Sequence, residues 1–354
     1  MKTLNLMSLA LVAFGSFVGA QEPAPKEETR LNVSVFENKR WRTYPASGSN
    51  KDGILYDDHG TMKQRRLKSP YMVQSPKDLG EGFDLYYGGD LKAAVKKFAK
   101  VRKDYAGFRY VRGNPAIRAT LCELDCAMRL QDWKRAETLA AAIERKVYGA
   151  ATADEIRTAE AAKAVAGFLQ IDAADKEKLA QACEQLSQSI LQYAALESGK
   201  GKAAKINLRA YGWYCYGLAR LTEEQIPAAE IQGGLSKENA AAASRAVDRY
   251  CQFVVCSHGG APELEKDALL RAVHLLNAMP GVADFLNSSA ALGKLDAKRW
   301  SNAPADFKEA VALAHLILTV YDTECQDEVV TRLAPRFFNA QEGAGDDAKA
   351  AKKD

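Results

Sequence analysis

The densest group of reactive side chains in this 354-residue sequence is CQFVVCSHGG, residues 251 to 260, which holds Cys251, Cys256 and His258. Two chemistries could use it: a thiolate nucleophile with an imidazole base, or a metal site. A closed metal site needs a third and fourth ligand at compatible spacing. No CxxC or HxxxH motif occurs to supply them. A Cys–His pair needs hydrogen-bond reach, and side chains two apart on a helix point in different directions. A structural arrangement fits each residue: both cysteines on a helix, His258 in its last turn, and Gly259-Gly260 ending it. Cys122 and Cys126, four apart, share one side of a helix, where cysteine packs as a small hydrophobe. His274 and His315 are flanked by Leu, Val and Ala and read as satisfied core or edge histidines. The adjacent Glu223 and Glu224 read as a solvated helix end. GxSxG, phosphate-loop and GxGxxG motifs are absent. The expectation is a non-enzyme, with no catalytic, cofactor-binding or metal-ligating residue. Seven cysteines are an odd number, so one thiol at least stays unpaired, and an isolated bridge is expected rather than a dense framework.

Charge patterning points instead to binding surfaces. Formal net charge is only +4, yet residues 61–118 hold fourteen Lys or Arg against five Asp or Glu. Lys92, Lys96, Lys100 and Lys103 recur at helical steps and form one basic stripe. Lys63, Arg65, Arg66 and Lys68 add to the same basic end. Placing residues 202–221 at 100° each makes a helix apolar on two sides, packed between neighbours. A narrow polar stripe of Lys202, Lys205, Arg209, Tyr216 and Arg220 remains. Arg forks beside an aromatic suit a carboxylate-bearing partner segment. The first stripe suits an anionic cell-envelope component or an acidic protein. A solvated helix face would produce either pattern.

The elements that must position these residues are mostly helical. Residues 1–20 have the form of an export signal: Lys2, an apolar run from Leu4 to Phe17, and small residues at Val18-Gly19-Ala20, predicting cleavage near Ala20. Nucleic acid is therefore not expected as a partner, and no later run is long enough to cross a membrane as a helix. Residues 21–76 read as a polar, mostly irregular arm. Within it, LNVSVF suits a short strand and Asp58-His59-Gly60 could close a hairpin. From 77 to 340 apolar residues recur at helical spacing. Leu91, Ala94, Val95, Phe98, Val101 and Tyr105 form one face. Ile117, Leu121, Leu124 and Met128 pair with Trp133, Ala136, Ala140 and Ile143. Further helices are expected at 156–171, 179–193, 206–221, 240–255, 264–279, 307–321 and 329–338. Short capped linkers join them, so consecutive antiparallel pairs and an all-α chain are expected. Residues 341–354 have no apolar face and read as a disordered tail.

Gly82, Leu85, Tyr86, Gly89, Leu91, Ala94 and Phe98 stand at the spacing of a tetratricopeptide repeat, and the stretch resembles that family. Val101 replaces the usual Ala and Ala106 the usual Pro. Leu124, Trp133, Ala136 and Ala140 give a second, looser match, offset by 42 residues rather than the family's 34. Later pairs keep the helical period without the signature residues. The resemblance implies a TPR-like α-solenoid of the kind found in exported bacterial cell-envelope proteins: a periplasmic or secreted scaffold holding a protein or peptide in a helical groove. Two other readings stay open. One is an enzyme on a helical-repeat frame. The other is a surface glycan- or nutrient-binding subunit, with Tyr211, Trp213, Tyr214 and Tyr216 as a stacking platform.

Overall fold

A computed structural model describes residues 30–68, 70–143, 149–198, 207–287 and 297–337. The signal segment 1–20, Lys202, Lys205 and the tail 341–354 fall outside the described residues. The chain is mostly helical, but the all-α expectation is overturned, because a five-stranded antiparallel sheet precedes the helices.

The sheet is built from β1 (Leu31–Glu37), β2 (Arg40–Asn50), β3 (Gly53–Asp58), β4 (Thr61–Arg65) and β5 (Tyr71–Val73), in the order β4-β3-β2-β1-β5. Residues expected to be an irregular arm are thus ordered strands. Two of its hairpins turn on paired positive φ values, as two-residue β-hairpins require. Asn38 (φ 49°) and Lys39 (φ 61°) join β1 to β2, and His59 (φ 53°) and Gly60 (φ 84°) join β3 to β4. The second is the hairpin anticipated at Asp58-His59-Gly60. In β2 the residues Pro45 and Gly48 look like turn residues, and a register shift between Ala46 and Gly48 absorbs them. Among the described residues one face of the sheet is covered. Leu31, Val33, Val35, Ala46 and Ile54 pack on Phe108 and Val111 from the segment after the second helix. The other face mixes polar residues such as Asn32 and Ser34 with the exposed apolar side chains Phe36, Trp41, Met62 and Met72, so the two faces do not alternate cleanly between apolar and polar.

The helical body starts with α1 (Lys77–Tyr87), α2 (Leu91–Asp104), α3 (Pro115–Arg129) and α4 (Trp133–Ala141). It continues through α5 (Ala153–Phe168), α6 (Lys176–Ser198), α7 (Leu208–Glu223), α8 (Ala228–Gly233), α9 (Lys237–Ser257) and α10 (Pro262–Asn277). The last four are α11 (Pro280–Asn287), α12 (Ala297–Asn302), α13 (Ala305–Leu316), extended by a π-helical turn over Ile317–Tyr321, and α14 (Glu328–Leu333). Side-chain caps set many of the starts. Asp90 accepts from the Ala93 N–H, Asp132 from Arg135, and Thr152 and Glu155 form a reciprocal capping box on α5.

Packing mostly follows chain order. Helix α1 lies on α2, α2 on α3, α3 on α4, α4 on α5, α5 and α6 on α7, α7 on α9, α9 on α10, and α10 on α13. One apolar cluster runs from Leu124 to Ala334, and a second joins α1 and α2 to Ala119 and Cys126 of α3. In α1, Gly82 meets the buried Phe98 ring: a Cβ there would stand 2.7 Å from its Cε1. Helices α3 and α7 are buried nearly all round. A helix between several others must bury its charged residues too, and those residues make the site.

Candidate binding cleft at Arg209

Asp125 sits in the middle of α3, between Leu124 and Cys126, with only 4% of its surface exposed. A carboxylate at that depth persists as a charge only when paired. Its Oδ2 accepts from the Tyr86 hydroxyl of α1 at 2.5 Å, and its Oδ1 lies 3.2 Å from Nη2 of Arg209, at the start of α7. Oδ1 has no well-aligned hydrogen bond of its own, so its tie to Arg209 is electrostatic. The Asp125 charge raises the Arg209 pKa further, against the desolvation that would lower it. Arg209 therefore stays charged, anchored on its protein side, while half of its side chain faces solvent.

The next turn of α3 extends the network. Arg129 is almost wholly buried, donates from Nε and Nη2 to both oxygens of Glu263 at 2.7 and 2.8 Å, and lies 4.8 Å from the Tyr86 ring centre. A continuous line of contacts thus runs from Glu263 on α10 through Arg129, Tyr86 and Asp125 to Arg209 on α7. Glu123, six residues before Arg129 on α3 and also buried, is held by Arg102 of α2 at 2.8 Å and Arg135 of α4 at 2.7 Å. These pairs fix α3 against four neighbours.

An open cavity of about 230 Å³ adjoins Arg209 and Asp125. Leu121, Leu124, Met128 and Trp213 give it apolar walls, and Asp154, Glu155 and Thr158 from the start of α5 complete it. All three of those polar groups are already engaged, Asp154 by pairing with Arg157 at 3.6 Å. Glu155 accepts from the Thr152 N–H within the capping box, and the Thr158 hydroxyl accepts from Asn207 at 2.8 Å. A smaller recess of about 40 Å³ shares Asp125, Arg209 and Trp213 with this cavity and is also lined by Leu208, Gly212, Phe253 and Cys256. The arrangement offers one anchored guanidinium that lines two adjoining, largely apolar recesses: it can orient a carboxylate and seat an apolar side chain beside it.

The expected polar stripe on α7 is not continuous. Tyr216 is fully buried and the Arg220 side chain is 13% exposed. The reason is that α7 is enclosed by α5 and α6 on one side and α9 on the other. Tyr216 donates to Asp267 Oδ2 at 2.8 Å, and Arg220 donates to the Tyr216 hydroxyl at 3.2 Å. Glu223, expected at a solvated end, instead joins this brace through Tyr250 and Arg271. Trp213, Tyr214 and Tyr216 are buried likewise and present no stacking platform. Of the five stripe residues, Arg209 alone among those described opens onto a cavity.

The α2 stripe does lie on the surface: Lys92, Lys96, Lys100 and Lys103 are all exposed. Lys100 pairs with Asp78. Lys92 and Lys96 border a groove of about 390 Å³ with Val95, Ala127, Leu130, Asp132 and Arg135, which shares no lining residue with the Arg209 cavity.

Cys251, Cys256 and His258 do not form a reactive pair. His258 takes the left-handed cap of α9 (φ 55°, ψ 41°), one step earlier than the glycines expected to end it. All seven cysteines are free thiols, so the expected isolated bridge is not formed. Burial pushes the Cys122, Cys215 and Cys251 thiols up to about 11 and Cys126 to about 12, which keeps them protonated and unreactive at neutral pH. His274 is satisfied by Asp327 Oδ2 at 2.8 Å, and His315 stacks on Phe337 at 4.3 Å. Among the described residues no group of three or more His, Cys, Asp or Glu could hold a metal ion.

Asp125, Tyr86 and Glu263 escaped the sequence reading as site residues. One sign was present for Asp125: a lone acid at a core position of the apolar run Leu124–Met128. No protein-family model matches the chain, and no curated protein matches it, so the functional reading rests on this geometry.

Proposed function

We propose that the helical body is a non-catalytic scaffold that docks another protein, and that Arg209 marks its contact point. The observation that carries this reading is the buried Asp125 holding a half-exposed Arg209 beside an apolar cavity. A buried carboxylate fixes the guanidinium before a partner arrives, so less entropy is lost on binding. The partner segment that fits carries an aspartate or glutamate for Arg209 next to a leucine- or methionine-sized side chain for the cavity. Chain-order packing and the Gly82–Phe98 contact support a tetratricopeptide-like role for the first hairpin. The signal-like residues 1–20 support export to the bacterial periplasm or beyond, and among the described residues no helix is long and apolar enough to cross a membrane.

The test is selection of displayed random peptides on the mature protein and on its Arg209→Ala variant. The wild type should enrich peptides with an acid beside a large apolar residue, and Arg209→Ala should lose that preference. Enrichment of the same peptides by both proteins would show that the contact lies elsewhere.

A further inference from the structure

A second cavity, far along the chain from Arg209, lies where the sheet meets the segment after α2. Its volume is about 430 Å³, and Asn50, Lys51, Asp52, Gly53, Arg66 and Lys68 line it together with Leu67, Tyr71 and Tyr110. Three cations face one carboxylate. Lys51, Arg66 and Lys68 are exposed, and none of them has a carboxylate within ion-pair distance among the described residues. Two other cations of the sheet are neutralised, Lys63 by Asp58 and Arg65 by Glu37. Arg109 and Arg112 add positive charge at the border, with Arg109 5.2 Å from the Tyr110 ring centre. The Tyr71 hydroxyl donates to the Arg112 carbonyl at 3.3 Å, which ties β5 to that segment.

The backbone builds this cavity. Asn50 Oδ1 accepts from the N–H groups of Asp52 and Gly53 at 2.9 and 3.1 Å and from the Gln64 side chain at 3.3 Å, fixing the β2–β3 turn that carries Lys51. Gly53 lets the chain leaving β4 pass directly over that turn: a Cβ at Gly53 would stand 2.0 Å from the Arg65 carbonyl oxygen. That close approach sets Arg66 and Lys68 beside Lys51. The sequence showed the basic end as a charge excess spread over residues 61–118; the fold gathers part of it, together with Lys51 from outside that stretch, around one opening.

We propose that this cavity binds an anionic sugar unit, with its phosphate or carboxylate held by Lys51, Arg66 and Lys68 and its ring beside Tyr110. An oxyanion matches the guanidinium fork and the two ammonium groups. The volume lies in the range of small-ligand sites and exceeds what one oxyanion fills, leaving room for a ring against the exposed tyrosine.

Calorimetric titration of the mature protein at low salt with glucose 6-phosphate, glucuronate, inorganic phosphate and glucose tests this. Both anionic sugars should bind more tightly than phosphate or glucose, and the order of the two identifies the anion preferred. Arg66→Ala with Lys68→Ala should weaken binding about tenfold or more, as expected for two lost charge-assisted contacts. Lys92→Ala with Lys96→Ala, on the separate α2 groove, should leave it unchanged. Three results each overturn the proposal: equal binding of phosphate and the anionic sugars, no binding by any of the four, or equal loss in both double variants. Circular dichroism of the variants separates a lost site from a lost fold.

Discussion

The Arg129–Glu263 pair is unequal in burial, so removing its two partners should cost unequal amounts. The Arg129 side chain is 5% exposed and that of Glu263 is 42% exposed. Glu263→Ala strands a guanidinium that cannot reach bulk water. Breaking a fully buried pair costs about 3–5 kcal/mol, and the half-wet acidic end moves this case to the low end, about 3 kcal/mol. Arg129→Met strands only a carboxylate that can rehydrate, while the thioether keeps contact with the Tyr86 ring. Its cost is about 1–1.5 kcal/mol, the size of a lost hydrogen-bonded pair. The difference of about 1.5 kcal/mol corresponds to roughly 0.5–1.5 M in the urea midpoint for a slope of about 1–3 kcal/mol/M. Urea unfolding followed by far-UV circular dichroism measures both variants. The double variant should be more stable than Glu263→Ala alone, because it removes the stranded charge. If Arg129→Met proved as damaging as Glu263→Ala, the assignment of the cost to buried charge would be wrong.

Three further outcomes follow from the packing and the charges. Gly82→Ala should destabilise by about 1–3 kcal/mol in the same assay, because the new Cβ lands 2.7 Å from a fully buried Phe98 ring; Phe98→Leu in that background should recover part of the loss, and an unchanged midpoint on Gly82→Ala would refute the contact. Burial raises the Glu263 and Asp327 carboxyls, but hydrogen bonds from Arg129 and His274 outweigh it and leave both pKa values lowered. Their contribution is therefore complete above the unfolded carboxyl range of about 3.9–4.3 and is lost as pH falls through the folded values. Between pH 5 and 3 the urea midpoint should drop less steeply in Glu263→Gln and Asp327→Asn than in the wild type. At pH 8, iodoacetamide should modify Cys126 and Cys215, both fully buried, only after denaturant is added, as peptide mass spectrometry would show.

The helices could be read from the sequence because their apolar positions repeat at one angle. Ala94 and Phe98 point inward as their spacing requires, and the two apolar sides of α7 correspond to its neighbours on both sides. The sheet was largely hidden. β2 carries Pro45 and Gly48, and the second face of the strands mixes polar with exposed apolar residues, so alternation is weak and pairing decides the structure. Lys39 gave no glycine signal for a positive φ, yet the β1–β2 turn depends on it. The site was half legible. Arg209 belonged to a visible stripe, but its anchor Asp125 lies on α3, and a pair joined only by the fold leaves no local pattern. Tyr216 and Glu223 were misplaced for the same reason: a polar residue on a helix reads as solvated until its buried partner is known.

The covering of the sheet carries a consequence for how the chain must be made. Leu31, Val33 and Val35 emerge early in synthesis, yet Phe108 and Val111, which close over them, come about 76 residues after Val35. At translation rates of about 5–20 residues per second, the apolar face waits roughly 4–15 s for its lid. During that interval the nascent strands display an uncovered hydrophobic surface, and for about its first half β5 is not yet present on the open edge of β1. The sheet thus needs protection while the chain grows, and it is sealed only when the segment after the second helix has been made.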